Sequence, residues 1–316
     1  MDSQSNGNAL NGSSGNGSAL IFLGTGCSSA IPNIMCLIQP SDPPCRVCSQ
    51  ALSLPPEQNP NYRCNTSMLI DYCPGGDGKH NYILIDVGKT FREQVLRWFT
   101  FHKIPRVDSI ILTHEHADAV LGLDDVRTVQ PFSPTNDIDP TPIFLTQSAM
   151  ESIAVKFPYL VMHGEDYVCL GFLFGEKYKV AYISDVSRFP GKTEFAISKS
   201  GAGQLDLLIL DALYKTCSGI ACPYDNAFLL LVGSFHKFSS LIFLFLCRED
   251  LTTLTFVSLR FSLEAVKRLC PKRALLIGMT HELDHHKDGE YLEEWSKREG
   301  IPVQFAHDGL RVPVEL

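Results

Sequence analysis

Short apolar runs alternate with polar turns along most of the chain, and each run has the length of a buried β-strand. Tyr167–Phe174 and Tyr178–Ser184 flank Gly175-Glu176-Lys177, a pattern that predicts a hairpin. The other predicted elements are strands over residues 19–23, 81–87, 107–112, 207–210, 274–277 and 303–305, and helices over residues 91–102, 262–269 and 289–298. The pattern therefore predicts a mixed α/β protein.

Three stretches depart from this pattern. Residues 1–18 are Asn, Gly and Ser with little to bury, which predicts a disordered tail ahead of one domain over residues 19–316. Residues 35–64 are rich in proline, serine and asparagine, so we expect a long irregular excursion. Residues 217–259 hold two apolar runs, each shorter than the roughly 20 residues that cross a bilayer. We interpret them as an atypical insertion or as an error in exon assignment.

Composition narrows the classes of function. The chain has 316 residues, 45% of them hydrophobic, which is sufficient for a large core. The chain has a net charge of -8 and no cluster of basic residues of the kind that binds the nucleic-acid backbone, so we expect no nucleic-acid partner. The N-terminal tail has neither signal-peptide nor transit-peptide features, which predicts a cytoplasmic or nuclear protein without membrane attachment. Its 11 cysteines are then thiols or metal ligands rather than disulfides.

Three metal-type ligands follow the strand predicted over residues 107–112. They are His114, His116 and Asp118, each two residues from the next. Side chains at this spacing point the same way only where the backbone is extended. Two imidazoles and a carboxylate suit zinc, iron or manganese. The sequence therefore predicts a metal site at the end of this strand, with a polar turn as the alternative.

Further ligand-type residues end other predicted strands. Asp185 and His281 follow the strands over 178–184 and 274–277, and the hairpin would bring His163 opposite Asp185. Asp86 ends a strand as well, where it would either orient a metal-bound histidine or serve only as a turn carboxylate. We expect these residues to meet at one edge of a sheet.

A second metal site is predicted within residues 35–64. Cys45 and Cys48 form a C-x-x-C pair, which is half of a tetrahedral zinc site. Cys36 and Cys64 are the nearest further cysteines. A redox pair would need a strand before it and a helix after it, and Pro43-Pro44 precedes it instead. The remaining alternative is a set of free thiols.

His281 also opens the sequence His-Glu-Leu-Asp-His, which spells the H-E-x-x-H motif of zinc proteases. In those enzymes the motif lies within a helix, which places both histidines on one face and makes the glutamate a base. Here a predicted strand and Gly278 precede it, and Asp288-Gly289 follows it closely. A zinc protease is therefore the least favoured of the functions.

The segment Thr113-His114-Glu115-His116-Ala117-Asp118 resembles the His-x-His-x-Asp-His signature of the metallo-β-lactamase superfamily. Residues 20–32, 82–88, 180–187 and 275–281 extend the resemblance to the branch of phosphoribosyl cyclic phosphate phosphodiesterases and their plant and fungal relatives. The resemblance implies a four-layer αββα sandwich with the metal site at one edge between two sheets.

The resemblance also implies a division of ligands. His114, His116 and His163 would hold one metal, Asp118 and His281 a second, and Asp185 would bridge them, with Asp118 and Asp185 in catalytic roles. Ala119 stands where the signature has its last histidine, so the second ion would bind more weakly than the first. The metal would be Zn or Mn. A structural zinc would lie on Cys36, Cys45 and Cys48, closed by His285 or Asp284.

The chemistry that the resemblance implies is hydrolysis of a small-molecule phosphodiester, including cyclic ones, by a metal-activated water. Two alternatives remain open on the same scaffold. One is a thiolester or lactone hydrolase, and the other is a metal-binding relative without catalytic activity.

Overall fold

The fold was analysed in a computed structural model, which describes residues 17–74, 78–131, 140–157, 169–184, 191–201, 203–212, 242–246 and 258–315. Two six-stranded sheets form its centre. Apolar residues from both sheets, among them Phe22, Met68, Tyr182 and Ile209, pack into one cluster between them. Helices cover the outer face of each sheet, so the four-layer αββα sandwich expected from the sequence is confirmed.

The first sheet has the strand order β12-β1-β2-β3-β4-β5. Strands β3, β4 and β5 run parallel, whereas β12, β1, β2 and β3 pair antiparallel. The carboxyl ends of β3 and β4 therefore lie side by side at one edge. The strands are β1 Ala19–Gly24, β2 Ser67–Tyr72, β3 Asn81–Ile85, β4 Ser109–Ile111, β5 Ile143–Phe144 and β12 Arg311–Pro313.

The second sheet has the order β11-β10-β8-β7-β6-β9. Strands β7, β8, β10 and β11 run parallel, while β6 pairs antiparallel with β7, as the predicted hairpin requires, and with β9. The strands are β6 Cys169–Phe174, β7 Val180–Ile183, β8 Leu207–Asp211, β9 Ile242–Leu246, β10 Ala274–Ile277 and β11 Val303–Phe305.

The helices are amphipathic segments that pack on the outer sheet faces, together with two short ones in the excursion. The longest are α8, which begins after the capping Ser258, and α9, which ends at Gly300 in the left-handed region. The helices are α1 Ile34–Ile38, α2 Arg46–Ala51, α3 Phe91–Gln94, α4 Thr100–His102, α5 Ala117–Val120, α6 Gln147–Lys156, α7 Gly191–Ile197, α8 Leu259–Leu269 and α9 Lys287–Glu299. A π-helical stretch, Val95–Phe99, joins α3 to α4.

Two regions differ from the sequence expectation. The excursion over residues 35–64 contains α1, α2 and a 3-10 turn, Pro56–Gln58, so it is more regular than its composition suggests. Strand β9 lies within the stretch interpreted as an insertion, and it extends the second sheet beyond β6. Among the helices that the structure describes, none is long and apolar enough to span a membrane.

Candidate metal centres

The first cluster of ligand-type side chains lies where β4 ends and α5 begins. His114 is buried, while His116 and Asp118 are partly exposed. One ligand atom from each lies within 4.8 Å of those of the other two. The two imidazole rings stand at 88° with centroids 4.8 Å apart, and Nε2 of His114 lies 3.9 Å from Oδ1 of Asp118. Extended backbone at His116 gives the convergence that the sequence spacing predicts.

A buried relay fixes the orientation of the first imidazole. The Thr113 hydroxyl donates to Oδ2 of Asp86 at 2.7 Å, and the Thr113 backbone N–H donates to Oδ1 at 2.8 Å. Nδ1 of His114 lies 2.8 Å from the same hydroxyl. Because a hydroxyl has one hydrogen, and the carboxylate takes it, the Thr113 oxygen accepts from Nδ1–H. His114 is thereby held as the tautomer whose Nε2 lone pair faces Asp118.

The chain that follows β3 shapes this edge. Asp86 has a positive φ of 61°, which aspartate tolerates better than most residues and which turns its carboxylate toward Thr113. At Gly88 an added Cβ would come within 2.0 Å of the carbonyl oxygen of Asp118, so the close approach of the two segments requires glycine. The Val87 N–H then donates to the Ala119 carbonyl at 2.7 Å, which fixes the first turn of α5.

Of the residues expected to hold a second metal, Asp118 belongs to this trio, whereas His281 does not lie with it in the part of the chain that the structure describes. Ala119 is buried, and its methyl group packs in the apolar cluster between the first sheet and its helices. His281 lies among the cysteines, and its expected role at the second metal stays a prediction. His163 and Asp185 lie outside the described residues, so their roles stay predictions.

The second cluster consists of Cys36, Cys45, Cys48 and His281, whose ligand atoms all lie within 4.8 Å of one another. Nδ1 of His281 is 3.4 Å from the sulfur of Cys36 and 3.4 Å from the sulfur of Cys45. In a tetrahedral zinc site with Zn–S of about 2.3 Å and Zn–N of about 2.0–2.1 Å, the sulfur–nitrogen separation is about 3.6 Å. These side chains therefore stand close to the spacing that a Cys₃His zinc site requires.

Two thiols of this cluster are held as poor acids by burial. Burial raises the pKa of the Cys48 thiol to about 12, in spite of the Asn33 N–H that donates to its sulfur at 3.3 Å. Burial raises the pKa of Cys36 as well. Thiolates here would need a nearby cation, and a soft divalent ion supplies one. The donor set thus fits zinc.

The side chain that lies with the three cysteines is His281, whereas His285 and Asp284 have other partners, and the ligand roles of all three stay predictions. The His285 ring packs 6.0 Å from Phe305 and 6.1 Å from His307, and burial, followed by the charge of Arg63, lowers its pKa to about 3. Asp284 accepts from the backbone N–H groups at the start of α9. The reason is the path of the chain after β10, which brings the ring of His281 against α1 and α2.

The H-E-x-x-H interpretation fails on the same segment. Residues 281–285 form turns, and α9 begins only at Lys287. His281 and His285 therefore do not share a helical face, which the zinc-protease motif needs.

Sequence reasoning missed the part played by Thr113. Its position between a strand end and a histidine was the available signal, because a hydroxyl there reaches both the histidine and the end of the neighbouring parallel strand. Cys64 also differs from expectation, since it is buried next to Arg97 rather than in the cysteine cluster.

Comparison of the sequence with known families and curated proteins matches only part of the chain. Residues 81–168, which contain the first cluster, match the sequence model of the beta-lactamase superfamily domain. An octanoyltransferase of Porphyromonas gingivalis is 38% identical over 109 residues, which are 34% of this chain and 18% of that protein. The chain thus spans less than a fifth of this curated relative.

Solved structures are similar over nearly the whole chain. A diphosphatase from the PhnP family superposes with a TM-score of 0.62 at 24% identity, covering 94% of this chain and 97% of its own. Zn²⁺-bound PqqB from Methylobacterium extorquens gives 0.58 at 15% identity, covering 94% and 100%. The short form of human tRNase Z gives 0.51 at 15% identity, also covering 94% and 100%. At these identities the likeness shows the fold.

Proposed function

We propose that this chain, whose residues 81–168 match the beta-lactamase superfamily domain, is a metal-dependent hydrolase of phosphodiesters with its reaction centre at His114, His116 and Asp118. The observation that carries the proposal is the Asp86–Thr113–His114 relay, with hydrogen-bonding distances of 2.7 and 2.8 Å. A buried relay of this kind orients a metal ligand and raises its basicity.

Each residue of the centre has a distinct task. His114 and His116 would hold the ion through neutral imidazoles, with His163 and Asp185 as proposed further ligands. The bound ion would supply a Lewis acid that lowers the pKa of water to about 7. The Asp118 carboxylate, partly exposed and 3.9 Å from Nε2 of His114, would orient that water and accept its proton.

The residues favour a single ion at this centre. The position at which the signature has its last histidine holds Ala119, which offers only a methyl group, and His281 lies beside the cysteines. Asp118 and the proposed Asp185 would remain, which leaves a carboxylate site completed by water. We therefore propose one Zn or Mn ion at the reaction centre and one zinc at the cysteine cluster.

The substrate class that we propose is a small phosphodiester, including cyclic ones. Two of the similar structures, the diphosphatase and tRNase Z, carry names of enzymes that act on phosphate linkages. The net charge of -8 disfavours a long polyanion such as tRNA, because a polynucleotide site needs a basic surface. A small substrate needs no such surface.

The test is turnover of bis(p-nitrophenyl) phosphate by protein purified without chelator, beside a lactone and a thiolester. We expect phosphodiester hydrolysis by wild type, loss of it in His116→Ala, and retention in the matched motif variant Glu282→Gln. Preferred turnover of the lactone or thiolester would replace the phosphodiesterase assignment. Bound metal without any turnover would identify a non-catalytic relative.

A further inference from the structure

Arg63 is a fully buried arginine, with 0% of its surface exposed, at the point where the excursion meets the loop after β10. Burial lowers its pKa to about 10, so it stays charged at neutral pH. A buried charge is costly unless hydrogen bonds satisfy it, and an apolar side chain of similar volume would often serve packing better. The side chain therefore depends on the hydrogen bonds that satisfy its charge.

The guanidinium donates hydrogen bonds to backbone carbonyls on both sides of His281. Nη1 donates to the Thr280 carbonyl at 3.1 Å, and Nη2 donates to the Leu283 carbonyl at 3.0 Å. Thr280 precedes His281 directly, and Leu283 follows two residues later. These two bonds fix the peptide groups that set the direction of the His281 ring. The fork of a guanidinium is suited to holding two acceptors in one geometry.

The same arginine is tied to the helix that carries the cysteines. Nη2 also donates to Oδ1 of Asn61 at 2.9 Å, and Nε donates to the Pro60 carbonyl at 3.2 Å. Nδ2 of Asn61 donates in turn to Oε1 of Gln50 at 3.0 Å, and Gln50 lies in α2 with Cys48. One network of hydrogen bonds thus joins α2 to the His281 loop.

The excursion is joined to Arg63 through its backbone as well. The backbone N–H of Arg63 donates to the Ile31 carbonyl at 3.1 Å, and the Ile31 N–H donates back at 2.8 Å. Ile31 lies just ahead of α1, which carries Cys36. Both parts of the cysteine cluster therefore converge on one residue that ligates nothing itself.

We propose that Arg63 is a positioning residue, which holds His281 opposite Cys36, Cys45 and Cys48 so that the cluster binds zinc as a preformed site. The inference goes beyond the hydrolase function and does not depend on it, since it concerns the cysteine cluster. It predicts that losing the guanidinium lowers metal affinity at this cluster while every ligand stays in place.

The experiment is a Co²⁺ titration of the metal-free full-length protein, followed by thiolate charge-transfer bands, for which the cysteine cluster is the only group of three cysteines and a histidine among the described residues. We expect Arg63→Met to weaken Co²⁺ binding there by at least tenfold and to alter the bands. Arg63→Lys should recover part of the affinity, because the single ammonium group of lysine can donate to one of the two carbonyls that the guanidinium holds. His281→Ala sets the value for complete loss of the ligand.

Arg311→Met is the matched control. Arg311 is a largely buried arginine that pairs with Asp71 at 3.0 Å in the first sheet, so its loss reports general destabilisation. Wild-type affinity and bands in both Arg63 variants would overturn the proposal, as would an equal loss in Arg311→Met. If Arg63→Met does not fold, the Co²⁺ affinity of Arg63→Lys is compared with that of Arg311→Met, and an equal affinity in the two variants would overturn the proposal. Wild type without thiolate bands would overturn the metal assignment together with the role of Arg63.

Discussion

Thr113→Val tests the relay behind the reaction centre with a nearly isosteric change. Valine keeps the shape and the β-branch of threonine, and it removes only the hydroxyl that links Asp86 to His114. The backbone N–H of Thr113 still donates to Oδ1 of Asp86, so the carboxylate keeps a partner. The variant should therefore fold, with the His114 ring released from its fixed tautomer.

The distances set the size of the effect. A hydrogen bond from a hydroxyl to a buried carboxylate at 2.7 Å contributes a net of about 1.5–3 kcal/mol, so the free energy of unfolding should fall by about that amount. Loss of an outer-shell partner of a metal-binding histidine typically costs about 10–100-fold in metal affinity or activity. We expect a drop in this range for the ion at the reaction centre.

The assay is hydrolysis measured against buffered free Zn²⁺, which gives the apparent affinity of the catalytic ion. Nitrogen NMR of the metal-free protein supplies a second measurement that needs no turnover. Wild-type His114 should show Nδ1 protonated, and Thr113→Val should show a mixture of tautomers. Thr113→Ser is the control, since it retains the hydroxyl. If Thr113→Val matched wild type in zinc dependence and in tautomer, the relay would have no role in metal binding.

Two further predictions address other parts of the molecule. Cys45→Ser should release about one zinc per chain and lower the melting temperature, which metal analysis and calorimetry would measure. As a control, substitution of the exposed Cys270 by serine should change neither quantity. An unchanged zinc content in Cys45→Ser would mean that the cysteines are free thiols. Burial raises the pKa of Asp308 to about 7, well above the value of about 3.9 in an unfolded chain, so the folded state binds the extra proton between these values. The free energy of unfolding of wild type, relative to Asp308→Asn, should therefore fall as pH rises from about 4 to 7, and a flat difference in urea titrations would contradict the assignment.

The parts of the fold that the sequence predicts are those whose pattern is local. Strand β10 has the predicted bounds, because four apolar residues end at a glycine. Strand β2 escaped prediction because Ser67 and Asp71 are polar, yet both are buried and satisfied by partners from distant segments. Strand β12 escaped as well, since its three residues include an arginine, a proline and only one apolar residue, Val312.

One candidate site could be predicted from local sequence, whereas the other depends on contacts between distant segments. His114, His116 and Asp118 lie within five consecutive residues, so local geometry alone brings them together. The position of His281 beside the cysteine cluster, where His285 was expected, accompanies a hydrogen bond from Arg63 to the Thr280 carbonyl, which lies 217 residues away in the sequence. No spacing rule for the His281 segment contains that information.

The pairing of β1 with β12 has a consequence for the order in which the protein is made. The two strands are the first and the last of the described chain, and the Thr25 hydroxyl, just after β1, bonds to Asp308 across 283 residues. During synthesis, β1 can pair with β2 early, but its other edge has no partner until β12 has been made. The nascent chain therefore carries an open sheet edge while the residues between β2 and β12 are added, when edge-to-edge association with other chains competes with folding.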